Sequence, residues 1–196
     1  KVQGKAMVEA ALEINHWCAG EVMYQGTDMR TGSALEIYRS GVGRCGEEAV
    51  FVVNVMRSAG IPARPVYVPR WSHCDDNHAW VEVWCDGDWH YLGACEPEAV
   101  LDKGWFTNAA SRAMMIGSRW YDRAMPDEKV IGKDGMNRII NLLGKYAKTR
   151  WITITVEDLD GTPAAGAKVR AEVMNYGEFS PIAIMEADKN GCISFE

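Results

Sequence analysis

Cys45 stands where a thiol gains reactivity, at the junction between a glycine-rich loop and a predicted helix. The run after it repeats apolar residues at spacings of three and four and stops near Gly60 and Pro62, as helices do. The positive end of a helix dipole stabilises an anion, so it lowers the pKa of a cysteine in the first turn. The sequence therefore predicts that Cys45 is a nucleophile of lowered pKa. The alternative is a small buried apolar residue, the commoner role of a free cysteine.

A cysteine nucleophile needs a base that takes its proton and returns it to the leaving amine, and a polar group that orients the base. His78 meets the first need, because it begins a predicted strand, with one strand and one loop between it and the Cys45 helix. The other histidines, His16, His73 and His90, are weaker candidates. His90 lies between two aromatic residues of a predicted strand, where a packed or solvent-facing ring is expected. The predicted catalytic pair is Cys45 and His78.

Hydrophobic period and turn residues predict the elements that position this pair. Residues 1–20 are mostly helical in pattern, helices are predicted at 34–39 and 45–59, and a strand at 65–68. A hairpin is predicted for 78–85 and 89–92, around the turn Asp86-Gly87-Asp88. Residues 99–125 are expected to be irregular and partly helical, covering the sheet and walling a cleft. Residues 126–148 are predicted to be helical in parts, with an apolar stripe from Met136 to Leu143.

The pattern changes to a strict period of two near Arg150, which predicts two domains, 1–149 and 150–196. The second begins with a strand, then Asp-Gly-Thr-Pro at 160–163 and Gly-Ala-Lys-Val at 166–169. This resembles the start of immunoglobulin-like or carboxypeptidase-regulatory-like domains of bacterial extracellular proteins. A complete sandwich needs about 100 residues. We therefore expect a partial all-β module.

Three motifs in order resemble the transglutaminase-like superfamily. They are Gly43-Arg44-Cys45-Gly46-Glu47 opening a helix, Arg57 to Arg64 ending in Gly-Ile-Pro-Ala-Arg, and His78-Ala79-Trp80-Val81-Glu82-Val83 with Trp89 on the returning strand. The resemblance implies an α+β fold with a papain-like core, in which the nucleophile helix packs on an antiparallel sheet. It also implies that Cys45 is the nucleophile and His78 the general acid and base.

The third member of the family's triad is an aspartate a few residues after that tryptophan, usually followed by proline. Here the fourth position after Trp89 is Gly93, and the nearest carboxylate followed by proline is Glu96. We assign the role to Glu96, with a local shift of the chain at 93–95. The alternatives are Asn77, Asp76 or Asp75, or no third member.

Composition excludes several classes of partner. The formal net charge is −6 and no Lys/Arg run occurs, so we expect no nucleic-acid partner. No apolar stretch is long enough for a membrane span. No cofactor is predicted, and the cluster His73, Cys74, Asp75, Asp76 and His78 is not expected to bind metal, because adjacent side chains of one loop cannot all point at one ion.

The resemblance implies attack of Cys45 on an amide carbonyl, with a peptide, protein or glycopeptide as substrate and hydrolysis favoured over crosslinking. Export from a bacterial cell is also expected, although the chain shows no signal peptide. The competing interpretation is a cell-surface binding or scaffold module with a degenerate triad, which Gly93 favours. Reactivity of the Cys45 thiol separates the two.

Overall fold

The computed structural model describes residues 2–26, 28, 30–121 and 129–196. Its helices are α1 (Met7–Glu21), α2 (Ala34–Ser40), α3 (Cys45–Ser58), α4 (Thr107–Ala110) and α5 (Leu143–Tyr146). The strands are β1 (Met23–Tyr24), β2 (Val42–Gly43), β3 (Ala63–Val68), β4 (His78–Cys85), β5 (Asp88–Leu92), β6 (Gly117–Tyr121), β7 (Lys129–Asp134), β8 (Asn137–Asn141), β9 (Ile152–Thr155), β10 (Lys168–Asn175), β11 (Glu178–Glu186) and β12 (Cys192–Phe195). The predicted α+β class is confirmed.

The chain forms two compact units. The first comprises Lys1–Tyr67 and His78–Thr107, and the second comprises Val68–Asn77 and Asn108–Glu196. Compactness does not show which segments fold on their own, so the predicted domain boundary at 149/150 stays a prediction.

Helix α3 is held at its start by the side chain of Glu47. One carboxylate oxygen accepts the Arg44 N–H at 3.2 Å, and the other accepts the Gly32 N–H at 3.1 Å. This bond back to the residue before the helix satisfies a backbone donor. Apolar residues at helical spacing, including Val52 and Met56, are fully buried in the core of the first unit. The helix predicted after Gly43-Arg44 is confirmed.

The hairpin of β4 and β5 is antiparallel, with Val81 opposite Leu92 and Cys85 opposite Asp88. In the first unit the strands lie in the order β5-β4-β3, which makes β4 central, and α3 packs against it. Side chains on both faces of β4 are therefore buried. This arrangement fixes the start of β4, where His78 lies, beside the start of α3.

In the second unit, the helical prediction for 126–148 is wrong for most of its described residues. Lys129–Asp134 and Asn137–Asn141 form an antiparallel hairpin, and only Leu143–Tyr146 is helical; residues 126–128 lie outside the described residues. The turn between the strands is Gly135-Met136, and Gly135 has a φ of +58°, a conformation that glycine adopts without steric cost. The apolar stripe fits either a helix or a strand, and pairing of β8 with β6 and β7 decides for the strand.

The strands predicted after Arg150 are confirmed. Strand β9 pairs with β12, and β10 pairs with β11, both antiparallel. Ala183, Met185 and Ile193 pack in one apolar cluster with Met115 and Ile131. The described part of this segment contains strands but no helix, while a separately folding β module stays a prediction.

Candidate active site

Cys45 is the first residue of α3, and its sulfur lies within hydrogen-bonding reach of the Ala79 N–H on β4. The side chain is half-buried. Burial raises the pKa of Cys45, although the N–H groups of Ala79 and Gly46 and the charge of Arg44 act to lower it. The lowered pKa predicted from the helix dipole is therefore wrong in sign, because desolvation of the thiolate outweighs the stabilising dipoles.

Arg44 fastens the preceding loop to the start of the nucleophile helix. Its Nη2 donates to Thr31 Oγ1 at 2.8 Å and to the Arg30 carbonyl at 3.1 Å, and its Nε donates to the Asp28 carbonyl at 3.3 Å. The guanidinium therefore stays next to Cys45 as a fixed positive charge.

His78 begins β4 and is almost entirely buried in an aromatic enclosure. Its ring centroid lies 4.6 Å from that of Trp105, 4.9 Å from Phe106 and 5.9 Å from Trp80. The Ala79 N–H that reaches the Cys45 sulfur belongs to the residue after His78, so the start of β4 lies beside the start of α3. The pairing of the Cys45 and His78 side chains stays a prediction.

Glu96 lies in a tight turn after β5. The side chain of Asn15 on α1 stabilises this turn through hydrogen bonds. The buried Asn15 amide donates to the Gly93 carbonyl at 2.9 Å and accepts the Cys95 N–H at 3.0 Å. Cys95 has a φ of +57°, and the Glu96 N–H bonds back to the Gly93 carbonyl at 3.2 Å. The local shift that the sequence required at 93–95 is this turn.

The Glu96 side chain folds back over Gly93. A Cβ placed on Gly93 would overlap Glu96 Oε2 and would lie 3.2 Å from Glu96 Cδ. The carboxyl group therefore occupies the space that a side chain at position 93 would take. Glycine is needed at 93 for this close approach, and an aspartate there would compete with Glu96 for the same volume.

The hydrogen bond of the Glu96 carboxylate goes to Trp105, whose Nε1–H donates to Oε1 at 2.9 Å. Oε2 is buried and has no hydrogen-bond partner among the residues that the structure describes. Burial raises the pKa of Glu96, and the Trp105 bond opposes that shift. Glu96 is therefore linked by its hydrogen bond with Trp105 to the aromatic rings around His78. Its catalytic role stays a prediction.

A second buried carboxyl group, Glu48, lies one turn along α3 from Cys45 and is 4% exposed. Burial and the charge of Glu96 raise the pKa of Glu48 to about 8. Sequence reasoning missed Glu48, Trp105 and Asn15. The helical spacing of Glu48 from the apolar core positions was the signal that it faces inward, whereas nothing local marked the other two.

The carboxylates of Asp75 and Asp76, two of the alternatives to Glu96, accept other hydrogen bonds. Asp75 accepts the Tyr176 N–H at 2.6 Å, Asp76 accepts the Asn77 N–H at 2.8 Å, and all three candidates of this loop are exposed. Outside it, His90 Nδ1 lies 2.7 Å from Asp102 Oδ2.

The described residues contain no group of three or more His, Cys, Asp or Glu side chains arranged to hold a metal ion. In the same residues no helix is long and apolar enough to cross a membrane.

Comparison with known proteins gives one family and several solved structures. No curated protein matches the chain. A proposed cysteine protease from Cytophaga hutchinsonii is 19% identical, with 67% of this chain and 51% of that one covered and a TM-score of 0.40. Legionella pneumophila LapG is 16% identical, with 51% and 60% covered and a TM-score of 0.42. A proposed protease from Parabacteroides distasonis is 19% identical, with 59% and 23% covered and a TM-score of 0.46.

This chain therefore spans 51% and 60% of the length of the first two structures. The family comparison concerns the unit that carries Cys45. The family model described as the transglutaminase-like superfamily matches residues 1–94, which include Cys45 and His78. The motifs at both residues, the helix that Cys45 begins and the strand that His78 begins agree with that match. Residues 1–94, the part of the chain that carries Cys45 and His78, therefore resemble the transglutaminase-like superfamily.

Proposed function

We propose that the protein is a thiol-dependent hydrolase of amide bonds in peptides, proteins or glycopeptides, with Cys45 as nucleophile, His78 as general acid and base, and Glu96 as the supporting carboxylate. One observation carries the proposal: the Cys45 sulfur, at the start of a helix, is within reach of the backbone of the residue that follows His78. A histidine and a cysteine adjoining at a helix N-terminus are the parts that acyl transfer requires.

The raised pKa of Cys45 favours a resting thiol rather than a preformed thiolate. His78 then takes the thiol proton as the sulfur attacks the carbonyl carbon. The helix N-terminus stabilises the resulting oxyanion. His78 next gives the proton to the leaving amine, and a thioester on Cys45 remains. Water, deprotonated by His78, cleaves the thioester and releases the acid.

Hydrolysis and transamidation share the thioester, so the choice between them depends on which nucleophile reaches it. We keep hydrolysis as the main activity and transfer to an amine as the second outcome. Export from a bacterial cell belongs to the same proposal.

The first test is acylation of Cys45 by p-nitrophenyl acetate, followed by intact mass and nitrophenolate release. We expect a stoichiometric burst that Cys45→Ala and His78→Ala abolish. Cys74→Ser, which removes an exposed cysteine that has no role in the proposed reaction, is the matched control and should retain the burst. A wild-type protein that shows no acylation of Cys45 would support the scaffold interpretation instead.

The second test transfers the proposed catalytic carboxylate from position 96 to position 93. Because the Glu96 carboxyl group fills the space over Gly93, Glu96→Gly should slow acylation, and adding Gly93→Asp should restore it. Glycine at 96 is required since the Cβ of Glu96 would lie only 2.8 Å from a Cβ at 93. Absence of rescue in a folded double variant would count against Glu96 as the third member. Turnover of peptide mixtures, followed by mass spectrometry, then identifies the substrate class.

A further inference from the structure

Trp105 touches both of the groups that flank the proposed nucleophile. Its indole N–H donates to Glu96 Oε1 at 2.9 Å, and its ring centroid lies 4.6 Å from that of His78, with the two planes inclined by 53°. Glu96 itself makes no hydrogen bond to His78 within the described part of the chain. The indole therefore stands between the carboxylate and the imidazole.

We propose that Trp105 is a positioning residue through which the Glu96 carboxylate orients His78 and stabilises its protonated form. The inference rests on the proposed function, because it gives Trp105 a part in the proton transfer from Cys45. An aromatic ring within about 6 Å attracts a cation. A carboxylate that accepts the indole N–H adds electron density to that ring and strengthens the attraction.

Charge balance around the indole supports this role. The charge of Glu96 acts on Glu48 and on Cys95, and neither of these groups is a cation. The positive charge of Arg44 acts on Cys45. A buried carboxylate oxygen without a donor is costly unless a positive charge comes near it. The imidazolium formed when His78 accepts the thiol proton supplies that charge, with the indole holding the two groups in line.

Exposure argues against a simple packing role for Trp105. Its side chain is 65% exposed, so it contributes little to the core compared with the fully buried Phe106 next to it. An exposed indole that is nevertheless fixed by one hydrogen bond and by ring contacts is oriented for its neighbours. Its free surface is also open to a substrate.

The experiment is an NMR titration of the His78 imidazole in the full chain, assigned among the four histidines with His78→Asn. Trp105→Phe keeps a ring but removes the N–H, and we expect it to lower the pKa of His78 by roughly half a unit to one unit. Glu96→Gln should lower it as well. In a protein that already carries Trp105→Phe, Glu96→Gln should lower the pKa of His78 by less than half as much as it does in the wild type. Trp151→Phe, at a tryptophan 62% exposed, is the control and should change nothing.

Two results would overturn the proposal. One is an unchanged His78 pKa in Trp105→Phe, which would leave Trp105 a packing residue. The other is an equal effect of Glu96→Gln with and without the indole N–H, which would mean that Glu96 acts on His78 directly. The titration needs no substrate, so a failure to acylate Cys45 would reject the proposed function and would leave this inference to be decided by the pKa values.

Discussion

The first unit buries carboxylates in two different ways. Glu82 on β4 is 2% exposed and accepts a hydrogen bond from the 1% exposed Arg64 at 2.6 Å, and the Arg64 guanidinium also lies 4.1 Å from the centre of the Trp89 ring. Glu48 is buried and the neighbouring Glu96 is half-buried, and the pKa of both is raised, chiefly by burial. The Arg64–Glu82 pair has no net charge, whereas the Glu48–Glu96 pair consists of two acidic groups.

We interpret this difference as that between a structural pair and a pair proposed to serve function. A compensated ion pair in a core holds strands in register and leaves no group to react. Among the described residues, no cation offsets the charge of these two carboxyl groups. Such an arrangement is unfavourable for stability, and arrangements of this kind cluster at sites of chemistry. Their position beside the start of α3 agrees with that rule.

Breaking the compensated pair should give the largest loss of stability. Arg64→Met leaves the Glu82 carboxylate buried without its partner, so we expect the free energy of unfolding to fall by about 3–5 kcal/mol. Chemical denaturation measures it. The double variant Arg64→Met with Glu82→Leu should recover most of the loss. Removal of the exposed pair Lys103 and Glu98 is the control and should have no measurable effect.

Neutralising the acidic pair should instead stabilise the protein at high pH. The pKa of Glu48 is about 8 when folded, against 4.5 for the free group, so between those values the folded state holds a proton that the unfolded chain has lost. Stability then falls as pH rises through this window, by at most about 1.4 kcal/mol per unit. Glu48→Gln should match the wild type at pH 4 and exceed it at pH 8.5. Equal unfolding curves at pH 8.5 would show that Glu48 is not buried as described.

Crowding the turn that carries Glu96 should have an intermediate effect. Gly93→Ala would place a methyl group against the Glu96 carboxyl, so we expect a loss of about 1–3 kcal/mol together with slower acylation of Cys45. Urea unfolding and the acylation burst measure the two effects. Gly20→Ala, where a Cβ would meet nothing within 4 Å, should be neutral or slightly stabilising. A Gly93→Ala variant as stable and active as the wild type would contradict the packing of Glu96 over Gly93.

The smallest effect is on the pH at which the thiol reacts. Because burial raises the pKa of Cys45, the iodoacetamide rate at this residue should inflect above the pH at which a free cysteine ionises. Peptide mapping by mass spectrometry follows Cys45 alone. An inflection below that of free cysteine would mean that His78 and Cys45 rest as an ion pair.

Local patterns determined much of the site. The apolar spacing after Cys45 and the Asp-Gly turn at 86–87 each carry their information within a few residues, so α3 and the hairpin of β4 and β5 were predictable. The motifs around Cys45 and His78 were likewise enough to predict the family model that matches residues 1–94. The hairpin of β7 and β8 was not predicted, because a short apolar stripe fits a helix or a strand and pairing with a neighbour decides between them.

Only the tertiary structure decided the electrostatics of the site. The sequence placed Cys45 at a helix N-terminus, but whether its pKa rises or falls depends on how much water the fold removes from the thiol. The same holds for Glu48, for the Asn15 amide that holds the turn at 93–96, and for Trp105 between Glu96 and His78. These contacts join residues that are not neighbours in the chain, and desolvation depends on every neighbour in space. A local sequence pattern therefore predicts neither the contacts nor the pKa shifts.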